Sequence, residues 1–277
     1  MADFEERTVI LPDGYEAYAR YWPVDRPRAA VLYLHGIQSH CGWYERSAGR
    51  LQQAGFAVLQ PDRRGSGRNQ QQRGHAESHR QLISDGLACG QHLLEHSGLR
   101  RFHLVGVSWG GKLACAMAVA NPAALASLSL VCPGLFPRVN VSSAEKFRIG
   151  LAMVGNRNRY FDIPLNDPHL FTSQPRWIDF LRRDELSLHQ VTASFFLATR
   201  RMDPVLRELP SIQPLPLHVM VAGDDQIVDS TKTVEYFRRL EWPKVRITNY
   251  PDAKHTLEFE PLCEEYCDDL VEWMQIL

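Results

Sequence analysis

Apolar runs alternate with segments of helical period through the first half of the chain. Residues 29–34, 57–59, 102–107 and 128–131 are apolar runs that end on His35-Gly36, Pro61-Asp62, Ser108 and Cys132-Pro133-Gly134. Runs of this length, bounded by turn residues, suit strands buried on both faces. Between them, residues 44–54, 78–96 and 110–120 place apolar side chains at helical spacing, and Ser97-Gly98 and Asn121-Pro122 stop the last two. Strand and helix in alternation predict an α/β fold with a mostly parallel central sheet and helices on both faces. Residues 15–22 alternate polar and apolar positions, as an edge strand in an antiparallel start would.

The alternation breaks after Pro137. Residues 142–154, 176–183 and 188–199 have helical periodicity, no run reads as a strand, and Pro164, Pro168, Pro175 and Pro204 interrupt the segment. The pattern therefore predicts a core over 1–136, an all-helical insertion over 137–210, and a resumed core over 211–277 with strands at 217–221 and 245–249 and helices at 231–240 and 262–274. Within the insertion Phe147, Leu151, Met153, Val154, Trp177, Phe180, Phe195, Phe196 and Leu197 could give each helix one apolar face, anchoring it or lining a pocket. No strongly amphipathic interfacial lid is evident.

Composition narrows the class. A chain of 277 residues with 44% hydrophobic and 23% charged residues is an ordinary globular protein, large enough for one domain carrying an insertion. Its net charge of −1 leaves no footprint for nucleic acid, and no helix has a clustered basic face, so a small, largely neutral substrate is expected. The acidic N-terminus lacks an apolar leader and no window holds 18 consecutive apolar residues, which predicts a cytoplasmic protein without a membrane span. Six cysteines, at 41, 89, 115, 132, 263 and 267, lack the spacing of a disulfide scaffold and read as reduced thiols.

Chemistry enters at Gly106-Val107-Ser108-Trp109-Gly110, a serine between an apolar run and a small-residue helix. A serine hydroxyl needs a base to take its proton, and the base needs a carboxylate. In a doubly wound sheet these groups project from loops at the carboxyl ends of strands. His255 alone among eleven histidines follows the last strand, and Asp224 and Asp225 follow the strand before it. Asp225 is the chosen acid, because Ile227-Val228 would pack the loop and turn it toward the base; Asp224 is the alternative. The amides of Ile37, after His35-Gly36, and of Trp109 are the candidate oxyanion donors. His40, His75 and Arg64 are expected to pack or bridge loops near the site and are assigned no chemistry.

Two metal patterns carry little weight. His92-Leu93-Leu94-Glu95-His96 fits the H-x-x-E-H zinc signature but falls in the last turn of a helix with no third ligand nearby, and Cys263 and Cys267 have no second ligand pair. No metal or cofactor is expected.

Together these residues resemble the α/β-hydrolase fold, and within it the monoacylglycerol lipase and lysophospholipase-like serine hydrolases. The likeness runs over the chain apart from the insertion. His35-Gly36-Ile37-Gln38-Ser39-His40-Cys41-Gly42-Trp43-Tyr44 keeps all but the second glycine of H-G-x-G-x-H-x-x-x-Y, and Asp62 to Asn69, Arg73-Gly74-His75 and Gly106 to Gly111 match three further elements of the group. The resemblance implies Ser108 as nucleophile, Asp225 as acid, His255 as base, Ile37 and Trp109 as oxyanion hole, and the insertion as a cap over the acyl pocket. Ser108-Trp109-Gly110 with Asp62-Arg63-Arg64-Gly65-Ser66-Gly67-Arg68 is also similar to proline iminopeptidases, although their usual H-G-G-P-G is missing. Hydrolysis of a small or lipid-like carboxylic ester is the leading expectation. An aminopeptidase or amidase, and a non-catalytic ligand-binding protein on the same fold, are the alternatives.

Overall fold

The computed structural model describes residues 4–277. Its strands are β1 (Glu5–Ile10), β2 (Glu16–Trp22), β3 (Ala29–Leu34), β4 (Phe56–Pro61), β5 (Phe102–Val107), β6 (Leu125–Val131), β7 (Tyr160–Asp162), β8 (Gln190–Thr192), β9 (Leu217–Ala222) and β10 (Val245–Tyr250). Its α-helices are α1 (Glu45–Gln53), α2 (His79–Ser97), α3 (Trp109–Ala120), α4 (Ser143–Gly155), α5 (Pro175–Arg183), α6 (Ala193–Arg200), α7 (Val205–Glu208), α8 (Ser230–Arg238) and α9 (Cys263–Gln275).

Eight strands form one sheet in the order β1-β2-β4-β3-β5-β6-β9-β10. β1 and β2 join it antiparallel, and the remainder, from β4 to β10, is parallel. The pleat divides the core: Ala30, Leu32 and Leu34 of β3 pack with Leu82 and Leu93 of α2 and Leu113 of α3, whereas Val31 and Tyr33 pack with Leu51 of α1 and Leu270 of α9. Both faces being covered explains why these strands lack polar alternation.

Three expectations need correction. Residues 15–22 do not form the edge: β1 covers β2, and β1 carries no apolar strand signal because Glu5, Glu6 and Arg7 make it polar. The segment between β6 and β9 is not all helical. β7 and β8 pair antiparallel there, and the helix expected from 188 begins only at Ala193. Finally, α4 does not turn all its apolar residues inward. Phe147, Leu151 and Val154 are 67%, 59% and 93% exposed, a stripe at i, i+4 and i+7 that makes the outer face of this helix apolar.

Candidate active site

Ser108 lies at the turn from β5 into α3 with φ 53° and ψ −121°, a backbone that is strained for any residue with a side chain. The turn can close because Gly106 and Gly110, two positions to either side, have none. A Cβ on Gly106 would lie 2.6 Å from the Gly110 carbonyl oxygen, and one on Gly110 would lie 2.5 Å from that of His35. Hydrogen bonds from the Ser108 amide to the Val131 carbonyl (2.9 Å) and from the Gly134 amide to the Ser108 carbonyl (2.7 Å) hold the strained residue in place.

Parallel strands deliver the other two groups to the same edge of the sheet. His255, after β10, has its Nε2 2.8 Å from Ser108 Oγ, and its Nδ1 is 2.8 Å from Asp225 Oδ2, after β9. A carboxylate can only accept, so Nδ1 of the neutral imidazole carries the proton and Nε2 is free to accept from the serine hydroxyl. The second oxygen of Asp225 accepts from the amides of Ile227 and Val228 at 2.8 and 2.9 Å. Ser108, Asp225 and His255 are all buried. Asp224 is exposed and accepts from Gln226 at 2.7 Å, away from this array.

Ile37 and Trp109 flank the serine. Among the described residues neither backbone amide donates a hydrogen bond, and both residues border the cavity that contains Ser108. The Ile37 amide is oriented from behind. His35 Nδ1 (2.8 Å) and Arg63 Nη1 (3.2 Å) both donate to the Gly36 carbonyl, and Arg63 Nη2 donates to the Ile37 carbonyl at 2.9 Å. Since the peptide is trans, a Gly36 carbonyl fixed toward Arg63 turns the Ile37 N–H the opposite way. Burial and the nearby Arg63 charge hold the His35 pKa well below its ordinary value, so that Nε2 stays an acceptor for the Arg63 amide (2.9 Å). Arg63 also lies over the Trp109 ring, 4.6 Å from its centroid.

The segment between β6 and β9 covers this edge. Phe171 meets the His255 ring edge-on at 6.2 Å, Phe195 stacks on Trp109 at 5.3 Å, and Trp177 stacks on Phe259 at 4.4 Å. Asp184 ties the segment to the loop after β3, accepting from Trp43 Nε1 at 2.7 Å, from Ser187 Oγ at 2.7 Å and from His40 Nε2 at 3.2 Å. Burial raises the Asp184 pKa, but these donors outweigh it and bring it down to about 2. Beneath the segment is a cavity of about 700 Å³ whose apolar wall includes Ile149, Met153, Phe196, Leu197, Val205 and Ile227.

His75 and Arg64 pack their loops against neighbouring elements: His75 Nδ1 is 3.1 Å from Thr192 Oγ1 of β8, and Arg64 pairs with Asp85 of α2 at 2.8 Å and with Asp13 at 2.9 Å. The His92 and His96 rings lie against each other with centroids 4.0 Å apart, but among the described residues they and Glu95 do not bring three ligand atoms together. His96 Nδ1 bonds the His92 carbonyl, and Glu95 accepts from Gln91. Sequence reasoning missed Arg63 and Asp184. Arg63 acts on backbone carbonyls, which leave no residue signature, and Asp184 meets partners more than 140 positions away.

Comparison with known proteins shows the fold and the family of the chain. The chain is 25% identical to the monoglyceride lipase of Rattus norvegicus over 91% of its own length and 84% of that protein. It is 25% identical to phospholipase YtpA of Bacillus subtilis over 88% of its length and 94% of that protein. The solved monoacylglycerol lipase of Paleococcus ferrophilus superposes with a TM-score of 0.80 at 23% identity, covering 94% of this chain and 98% of the other, which shows the α/β-hydrolase fold. The family described as "Serine aminopeptidase, S33" (Hydrolase_4) matches residues 25–262, and the chain belongs to that family.

Proposed function

We propose that this protein is a serine hydrolase of lipid-like carboxylic esters working through an acyl-enzyme. Ser108 Oγ attacks the carbonyl carbon as its proton passes to His255 Nε2, and Asp225 stabilises the imidazolium. The amides of Ile37 and Trp109 donate hydrogen bonds to the carbonyl oxygen as negative charge develops on it. Collapse of this intermediate breaks the ester C–O bond, and the alcohol leaves with the proton from His255. Water, deprotonated by His255, then attacks the acyl-serine and releases the acid. Residues 137–210 serve as the cap.

The observation that carries this reading is a hydrogen-bonded Ser108–His255–Asp225 array at the wall of a largely apolar cavity. The ester class draws on the monoglyceride lipase and phospholipase relatives. The carboxylates support esters over aminopeptidase substrates, whose ammonium needs an unpaired acid. Asp203, the one carboxylate lining the cavity, is paired with Lys112 and Arg200, while Glu145 and Asp179 pair with Arg148 and Arg182 outside it.

A fluorophosphonate probe should label wild-type protein once and Ser108→Ala not at all. Purified protein should cleave p-nitrophenyl acyl esters faster than aminoacyl anilides. Labelling that persists in Ser108→Ala would refute the nucleophile, and a preference for anilides that depends on a free amine would favour the peptidase.

A further inference from the structure

The charges lining the cavity do not balance. Among the described residues its wall holds three cationic side chains, the buried Lys112 and the exposed Lys146 and Arg200, against the single carboxylate of Asp203. The whole-chain net charge of −1 conceals this excess, which is why the sequence pointed to a largely neutral substrate.

Lys112 is the informative member. It stands in the first turn of α3 and lines the same cavity as Ser108. Its side chain is only 8% exposed, and among the described residues its ammonium has a single partner, Asp203 Oδ1 at 2.7 Å. An ammonium carries three donors, of which one goes to Asp203 and two have no protein partner among the described residues, in a cavity whose other lining is mostly apolar. Asp203 cannot neutralise it fully, because its second oxygen accepts from Arg200 at 2.8 Å. Lys146 on α4 borders the same space, and among the described residues its ammonium has no partner. Arg200, 83% exposed, and Lys146 stand toward solvent, so the buried Lys112 is the cation that suits an incoming negative group.

We propose that the preferred substrates are carboxylic esters bearing a second, anionic group, a carboxylate or a phosphate, which Lys112 binds with help from Lys146 while the ester sits at Ser108. This rests on the reaction proposed above and narrows its substrate class.

The test compares each anionic ester with a neutral ester of matched length: half-esters of dicarboxylic acids against their methyl-capped diesters, and lysophosphatidate against monoacylglycerol. The anionic member of at least one pair should have the higher kcat/KM by about tenfold or more, the effect of one charge-assisted hydrogen bond. A preference in the first pair identifies the carboxylate as the source, and one in the second the phosphate. Lys112→Met should bring the ratio close to one, Lys112→Arg should retain most of it, and the surface substitution Lys146→Gln should lower it in part. Added salt should also lower it. Equal rates within both pairs, or a ratio unchanged in Lys112→Met, would overturn the inference. Fluorophosphonate labelling of every variant separates the two readings: unlabelled wild type removes the serine hydrolase, whereas normal labelling without an anion preference removes only this substrate class.

Discussion

Adjacent aspartates show what residue-level sequence reading can and cannot reach. Asp224 and Asp225 share composition and loop, and the choice between them rested on Ile227 and Val228 packing the loop. Those two residues bind Asp225 Oδ1 through their amides, and the remaining oxygen faces His255. Asp225→Asn should therefore leave the fold intact yet lower kcat by about 10³–10⁴, since the imidazole loses the partner that fixes its tautomer. Asp224→Asn, at an exposed carboxylate, should stay within a few-fold of wild type. Steady-state kinetics on a p-nitrophenyl ester checks both, and the reverse order would reassign the acid. Serine and histidine were readable because chain order and strand ends constrain them, whereas Arg63 and Lys112 act through backbone carbonyls and cavity charge, which appear only after folding.

Elements were legible in proportion to their burial. The parallel strands are apolar on both faces, so β3 and β5 were read with their full limits, while β1 is polar and β7 and β8 are three-residue strands whose partners lie 30 positions apart. Glycines at the β5–α3 turn carry the most testable constraint. In Gly110→Ala the new methyl would lie 2.5 Å from the His35 carbonyl and 2.6 Å from that of Leu34, both backbone atoms of the β3 end that cannot swing aside. We expect a loss of about 1–3 kcal/mol in urea unfolding and slower fluorophosphonate labelling, because the same clash displaces the Gly36–Ile37 peptide. Unchanged stability and labelling would mean that the turn has slack. By contrast Val154→Ser, at a side chain 93% exposed on α4, should change stability by less than about 0.5 kcal/mol, and a larger loss by the same measurement would show that the apolar stripe is covered.

At the scale of the whole molecule, the sequence revealed the alternation that builds the sheet but not the buried polar contacts between distant parts. Glu258 is the clearest of these. It lies three residues after His255, is 2% exposed, and accepts from the Ser47 amide of α1 at 2.9 Å, while its other oxygen has no partner among the described residues. Burial, only partly offset by the Ser47 hydrogen bonds, raises its pKa from 4.5 to about 7. Between these values the folded protein keeps a proton that the unfolded chain has released, so stability falls as pH rises. The contribution is complete below about pH 4.5 and is lost as pH climbs through about 7, a span worth about 3 kcal/mol at about 1.36 kcal/mol per pKa unit. Glu258→Gln imitates the protonated acid and should remove this slope. Urea midpoints measured from about pH 5 to about pH 8 should therefore diverge, with the variant gaining on wild type toward alkaline pH. Parallel profiles would mean that Glu258 is charged in the folded protein and that a partner or water compensates it.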